Sequence, residues 1–472
     1  MKYCIFLLLA LLISFRMEAQ THPIVVVGAG LSGLTAGYRL QQLGYAVEVY
    51  EARIRPGGRI CTAYFDHGYE ELGGKNIRDG GEARNIRALI HEFGLSTQTH
   101  SLDIISGVFL FQKSKYPIAE LIEAGPQPTE SLYRELYEKS RIVESLADLV
   151  NPLFADNPPL HALIQLSIRG YMGSSAEKLS AHYLNEAFWD FYKMQHDALS
   201  SSEKYFYMED IVGGNSRLVE ELTKRLKVPI HYNMPLTKIS LSDGLQLHFD
   251  NGTCVHASNL ILAIPASTLR SISFPSGLFP EDQLAAIETQ QYGTNAKILI
   301  PLKMDYSPNV FNCLANLGIW SNKDHSVMTW YFGGSDGIFE ETTPIFVNAL
   351  PQVEQIFPKI HFDSKQPVSM KQIFKAHYHS PVGVSWFHET YSKGSYSNLS
   401  PSQYEAFNEI VVFNGEPLRK VYRPVNDMIY FAGEHTSLDA AATMEGAVQS
   451  GNQVARLIHH KLSTIEESAI NQ

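Results

Sequence analysis

An α/β fold, in which a parallel sheet is interleaved with a second, α+β unit, is predicted by three features of the sequence. The first is an unbroken β-branched run, Ile24 to Val27, followed by a glycine-rich turn and then by helix-like apolar spacing from Leu31. Such a run suits a parallel strand buried on both faces, because crossover helices cover both sides of the sheet. The second is a further strand, Ala46 to Tyr50, one helix later, as a βαβ unit requires. The third is size: 472 residues, 44% of them hydrophobic, can bury a large core yet exceed a usual single domain.

The formal net charge of −11 argues against nucleic acid or an anionic membrane as main partner, since both select basic faces. At the start, MKYCIFLLLALLISFRMEAQ has one Lys, an apolar run from Ile5 to Ile13 and Ala19 at a small-residue cleavage position. That is the layout of a signal peptide over residues 1–19, which predicts export to the periplasm or the exterior. The run is too short for a bilayer, which needs about 20 apolar residues, so no stable membrane span is expected. Cys4 leaves with the leader, and Cys61, Cys254 and Cys313 are far apart with no CxxC spacing. No disulfide framework or zinc site is readable. His377 and His379 could share one strand face, but without nearby partners they predict no metal.

The turn after the first strand places Gly28, Gly30 and Gly33 as GxGxxG. The first glycine allows the tight turn, the second lets backbone approach a pyrophosphate, and the third permits close helix–strand packing. Leu31 and Ser32 then open the helix, whose N-terminus favours an anion. The second strand ends in Glu51, followed by Ala52 and Arg53. A carboxylate about 20 residues beyond the glycines can accept hydrogen bonds from a ribose, so the unit reads as a Rossmann-type dinucleotide site. A second Gly-Gly turn follows, with Arg55 and Arg59 flanking Gly57 and Gly58. Those cations suit a phosphate or a reduced flavin's negative charge.

Taken together, GxGxxG, EARxRxGGR (51–59), ELGG (71–74), FAGEHTS (431–437) and MEGAVQSG (444–451) resemble the flavin amine oxidase family over most of residues 23–460. The resemblance implies FAD as cofactor, with Leu72, Gly73 and Gly74 also contributing to its site. It sets Gly433 and Glu434 by the pyrophosphate and ribityl, and aims a helix beginning near Met444 at the pyrimidine end of the ring. Leu236, where a valine is more usual, would lie by the adenine. A family segment of the form SGGCY attaches FAD through its Cys; here SKGSY has Ser395, so the flavin is expected to be non-covalent.

Three catalytic positions follow from the same resemblance. Lys297 is an isolated cation in the apolar run AKILIPL, where burial without a partner is costly. The matching family Lys holds a water against flavin N5; a Lys snorkelling to the surface is the alternative. Tyr396 matches one wall of an aromatic cage, and Thr443 stands where an aromatic often forms the other and, with Met444, is also implied to bind the FAD. A half-built cage implies a bulkier or branched substrate. The reaction implied is oxidative deamination, in which an amine gives hydride to the flavin, the imine hydrolyses, and oxygen becomes hydrogen peroxide. An amino-acid substrate would need a cation for its carboxylate, and Lys75 and Arg78 are the candidates. A desaturase or porphyrinogen-type oxidoreductase and a redox-silent FAD protein share the cofactor motifs.

The remaining chain divides by pattern. Residues 20–75, 209–284 and 386–460 are assigned to the FAD-binding unit, 76–208 (mainly helical) and 285–385 to the substrate unit, and 461–472 to a tail. Val212 to Leu226 reads as a turn and helix; IHYNMPLTKI, LQLHF and VHASNLILAIP read as strands, with Asp250-Asn251-Gly252 a hairpin turn. Gly125-Pro126 and Pro158-Pro159 mark expected joints. Tyr171, Phe188, Trp189, Phe191 and Tyr192 line a pocket or fill a core.

Overall fold

Five parallel strands lie in the order Ile429–Phe431, Asn259–Leu262, Ile24–Val27, Val47–Tyr50 and Ile230–His231 in the computed structural model. The structure describes residues 22–77, 83–201, 205–302, 310–322, 324–360, 362 and 366–470; the leader expected at 1–19 lies outside them. Alternation along the central strand explains its unbroken apolar run. Ile24 and Val26 enter one core with Leu34, Leu40, Val448 and Leu457, while Val25 and Val27 enter another with Leu247, Leu260 and Ile287.

Helix Leu31–Gln42 packs on the first of these faces, with the long C-terminal helix Met444–Ile470 against it. Helix Arg84–Glu92, beyond the boundary expected at residue 75, buries Ile86, Leu89 and Ile90 in the same core. The opposite face is covered by an antiparallel sheet of Leu236–Ser240, Leu245–Phe249 and Cys254–Ala257, the last two joined across the Asp250-Asn251-Gly252 turn. Three separated stretches of chain thus meet in one layer.

The second layer is an eight-stranded mixed sheet with Ala296–Pro301 between Val327–Phe332 and Val382–Ser385. Trp330, fully buried, stacks on Phe346 of helix Thr342–Ile356. Helices Ile118–Glu123, Glu130–Ser140, Leu146–Val150, Pro158–Met172 and Asp190–Ser200 occur in residues 76–208. Pro158-Pro159 lies at the joint after the helical turn Asn151–Phe154 and opens helix Pro158–Met172, capped by the Asn157 side chain. A proline without an N–H costs nothing in a first helical turn, where that donor has no intrahelical partner. Among the described residues, no helix is long and apolar enough to cross a membrane.

The glycine turn separates two kinds of constraint. A Cβ at Gly33 would fall 2.0 Å from the carbonyl oxygen of Gly28, whereas one at Gly30 would meet nothing within 4 Å. Gly33 therefore serves helix–strand contact and Gly30 leaves space. Gly33→Ala should destabilise the apoprotein by about 3 kcal/mol or more, and Gly30→Ala by less than about 0.5 kcal/mol. Thermal melts of the two variants check this; equal losses would contradict it.

Candidate active site

A cavity of about 920 Å³ receives wall residues from both layers. Of the positions expected from sequence, Gly28, Gly30, Leu31, Ser32, Glu51, Ala52, Arg53, Gly58, Arg59, Leu72, Gly73, Gly74, Leu236, Lys297, Tyr396, Gly433, Glu434, Thr443 and Met444 all line it. Gly33 does not, in keeping with its packing contact beneath the turn.

At the nucleotide-type end, Glu51 lies at the end of strand Val47–Tyr50. Its carboxylate accepts the N–H of Ala29 at 2.8 Å and that of Arg53 at 2.9 Å, tying the glycine turn to the second strand. A carboxylate has about four lone-pair sites, so acceptor capacity remains for a ribose. The N–H of Met234 bonds to the Glu51 carbonyl oxygen at 2.9 Å, which brings the stretch holding Leu236 alongside.

The cations are distributed differently from the expectation. Arg55 is 1% exposed and does not line the cavity; its guanidinium donates to the carbonyls of Pro56 and Gly58 in its own turn. Arg53 lines the wall but is committed to Glu389, with Ser392 accepting at 2.9 Å. A buried charge must be paired, and these two are paired with protein. Arg59 donates to the carbonyl of Ser395 at 2.6 Å and to Glu434 Oε1 at 2.8 Å. Glu434 also accepts from the Ser397 hydroxyl at 2.6 Å and the Ala442 N–H at 2.9 Å. Burial alone would raise its carboxyl; Arg59, then His435 and Ser397, more than reverse this and hold it below the usual range.

Helix Met444–Ile470 begins on the cavity wall, with Met444 and Ala447 lining it. Thr443, expected as the open side of a cage, also caps this helix: Oγ1 donates to the Ala440 carbonyl at 2.7 Å and accepts the Gly446 N–H at 3.0 Å. The Tyr396 phenol donates to the Tyr171 carbonyl at 2.5 Å, which anchors its ring to the end of helix Pro158–Met172. Ser395 donates to Asn295 Oδ1 at 2.7 Å, and neither Cys61, Cys254 nor Cys313 lies on the wall. Phe191 and Tyr171 line the cavity, while Phe188, Trp189 and Tyr192 are core.

Lys297 does not snorkel. It lies on an interior strand of the eight-stranded sheet, is 8% exposed, and its Nζ donates to the carbonyls of Glu71 and Gly73, both at 2.8 Å. The Tyr331 ring centroid is 5.7 Å from the ammonium. The Leu72 carbonyl between these two accepts Trp386 Nε1 at 3.0 Å. Beneath the same turn, the Glu71 carboxylate accepts from the Asn215 N–H at 2.8 Å and the Thr62 hydroxyl at 2.9 Å. Burial pushes this carboxyl up, with Glu70 adding to the rise against those hydrogen bonds. Lys75 is paired with Glu70, and Arg78 lies outside the described residues.

Sequence reasoning missed Glu389 and Asn215. Asn215 follows two glycines at a helix start, and its Nδ2 donates to the carbonyls of Gly74 and Lys75, so a turn-chemistry signal was present. Glu389 shows no local signal, because its partner is 336 positions away. Among the described residues, no group of three or more His, Cys, Asp or Glu is placed to hold a metal; His377 stacks on Tyr64 and His379 pairs with Asp66.

The wall fits a flavin dinucleotide: open space at Gly30, a carboxylate at Glu51, a helix N-terminus at Met444, and the buried Nδ1 of His435 with no partner among the described residues. Residues 31–459 match the flavin containing amine oxidoreductase family, to which the chain belongs. It is accordingly a flavoprotein oxidoreductase acting on CH–NH groups. The L-amino-acid oxidase of Gloydius halys is 24% identical over 485 residues, covering 93% of this chain and 90% of that protein. That of Daboia russelii is 23% identical, with 93% and 90% covered. Among solved structures, putrescine oxidase bound to putrescine has a TM-score of 0.65 at 18% identity, covering 92% of this chain and 98% of that one. Cyclohexylamine oxidase from Brevibacterium oxydans IH-35A has a TM-score of 0.66 at 15% identity, covering 94% and 99%. The structural likenesses confirm the fold.

The buried Glu71 yields a pH prediction. Its folded pKa is raised, so the folded state holds this proton over a range in which the unfolded chain has released it. Stability therefore falls as pH rises above the ordinary carboxylate range near 4.3. Glu71→Gln is neutral throughout, so its melting temperature should gain on the parent's between about pH 5 and about pH 8. A difference that does not change with pH would contradict the assignment.

Proposed function

We propose that this chain is an FAD-dependent oxidase of an amine bearing a bulky apolar substituent, which consumes oxygen and water and gives a carbonyl compound, ammonia or an amine, and hydrogen peroxide. The observation that carries the reading is the state of charge on the cavity wall. Among the described residues every Lys and Arg there has a partner: Arg53 with Glu389, Arg59 with Glu434, Lys75 with Glu70, Lys297 with two carbonyls, Lys393 with Ser271, and Arg419 with the carbonyls of Ser437 and Phe407. A substrate carboxylate would have to share a cation already engaged by the protein, whereas a neutral amine makes no such demand.

The wall near Lys297 supports the apolar substituent. Trp320 lies 5.6 Å, ring to ring, from Tyr331, and Leu102, Ile104, Phe206, Met208 and Phe311 complete an apolar lobe. Apolar walls with few polar groups select by shape and hydrophobic fit. Tyr396 forms an aromatic wall and Thr443, with no ring, leaves the slot wide.

Bound FAD supplies the redox chemistry by accepting hydride from the amine's α-carbon. The glycine turn and Glu51 would hold its nucleotide end, and Leu236 its adenine. Arg59 and the first turn of Met444–Ile470 would stabilise negative charge. Lys297 would hold a water or a proton at Nζ. Ser395 offers no thiol, so the flavin is non-covalent and acid precipitation releases it into solution. The segment 1–19 directs export, and mass spectrometry of the mature chain should find its start near Gln20.

A second reading, oxidation of an amino acid, is favoured by the L-amino-acid oxidases among the relatives. Peroxide assays with matched pairs, isopentylamine against leucine and phenethylamine against phenylalanine, separate the two. We expect at least about tenfold higher kcat/KM for the amine, about 1.4 kcal/mol; preference for the amino acids would establish the second reading instead. Lys297→Met should retain FAD yet slow flavin reduction or reoxidation about tenfold in stopped flow. Unchanged rates in both half-reactions would remove Lys297 from the chemistry.

A further inference from the structure

Beside Lys297 lies an ion pair with a buried carboxylate, Glu70 with Lys75, to which the proposed reaction assigns no role. Glu70 is 3% exposed; its Oε1 accepts the N–H of Glu71 at 2.7 Å, and its Oε2 holds the ammonium of Lys75. Between these two anchors lie the carbonyls of Glu71 and Gly73 that receive Lys297 Nζ. One carboxylate therefore closes the turn 70–75 on itself, with the Lys297 cradle inside. From the other side, Asn215 Nδ2 donates to the carbonyls of Gly74 and Lys75 at 3.0 and 2.8 Å.

Four charged or titratable side chains among the described residues surround Lys297. Glu71 turns its carboxyl to Thr62 and Asn215, and Tyr331, directly across on the neighbouring strand, presents its ring. Glu70 and Lys75 are the further charged groups placed beside it among the described residues. Burial alone would raise the Glu70 carboxyl, and Lys75 followed by Lys297 more than reverse it, so both ammoniums act on this one carboxylate.

We propose that Glu70 and Lys75 are positioning residues for Lys297: Glu70 locks the carbonyl cradle and is the shared counter-charge, and Lys75 draws part of that charge away from Lys297. The inference rests on the reading that Lys297 serves the flavin. It has a consequence that a merely structural clamp lacks, because removing the two partners changes the field at Lys297 with opposite sign. Without the Glu70 charge the site becomes more cationic and Lys297 releases its proton at lower pH. Without Lys75, Glu70 acts on Lys297 alone, and the proton is held to higher pH.

The test uses FAD-loaded Glu70→Gln, Lys75→Met and Lys297→Met. Two quantities are read: the pH profile of anaerobic flavin reduction, and the Kd for sulfite, which reports how well the site supports negative charge on the flavin. Glu70→Gln should move the basic limb of the profile to lower pH and tighten sulfite binding at least about threefold; Lys75→Met should do the reverse on both counts. Placed on a Lys297→Met background, neither substitution should move the limb. Shifts in the same direction, or none, overturn the proposal while leaving Lys297 in place if Lys297→Met alone slows a half-reaction. If Lys297→Met changes neither half-reaction nor sulfite affinity, the reading of Lys297 fails and this inference with it. Should Glu70→Gln not fold, the direction of the Lys75→Met shifts decides.

Discussion

The pair between Arg59 and Glu434 is the contact on which the site depends. It joins residues 375 positions apart, one from the turn after the first βαβ unit and the other from the last strand's end. Through the same carboxylate the segment at Ser397 and the approach to the final helix at Ala442 are also fixed. Without that carboxylate, three backbone segments around the cavity would lose their common anchor. The parallel sheet makes the pair achievable, because Ile24–Val27 and Ile429–Phe431 flank Asn259–Leu262 and end on the same side.

Burying so many charges is costly, and the chain meets the cost by pairing. Arg53 with Glu389, Arg59 with Glu434, and Lys75 with Glu70 are each at or near full burial on at least one side. Such pairs add little net stability over apolar replacements, but losing one partner leaves a stranded charge. What they provide here is geometry: each cation is held at the wall of a cavity where negative charge on a flavin would be stabilised. Lys297 differs in being held by carbonyls rather than by a directly bonded carboxylate.

Much of this was legible in the sequence because it is local. The glycine spacing, the β-branched strand, Glu51 at its strand end and the helix from Met444 each depend on neighbours within a few residues. The cap at Thr443 was readable in the same way, as a hydroxyl before a helix three residues ahead of a backbone N–H, yet the resemblance drew that residue only toward the flavin and its cage. Partner choice was not legible. Arg53, Arg55 and Arg59 look alike in EARIRPGGR, and only tertiary packing separates the one turned into its own loop from the two on the wall. Glu389 and the order of the eight-stranded sheet are likewise set by contacts remote in sequence. The apolar lobe draws Leu102, Met208, Phe311 and Trp320 from four strands or joins, so no periodicity could assemble it.

The central claim is that both ends of the chain close on one flavin, with Lys297 and Tyr396 at its reactive end. A crystal structure of the FAD-loaded protein tests it most directly. The account predicts the pyrophosphate at the backbone N–H groups of Leu31 and Ser32, the ribose at Glu51, and the flavin ring against Lys297 and Tyr396. A pyrophosphate away from the Gly30 turn, or a flavin ring held apart from Lys297, would contradict it.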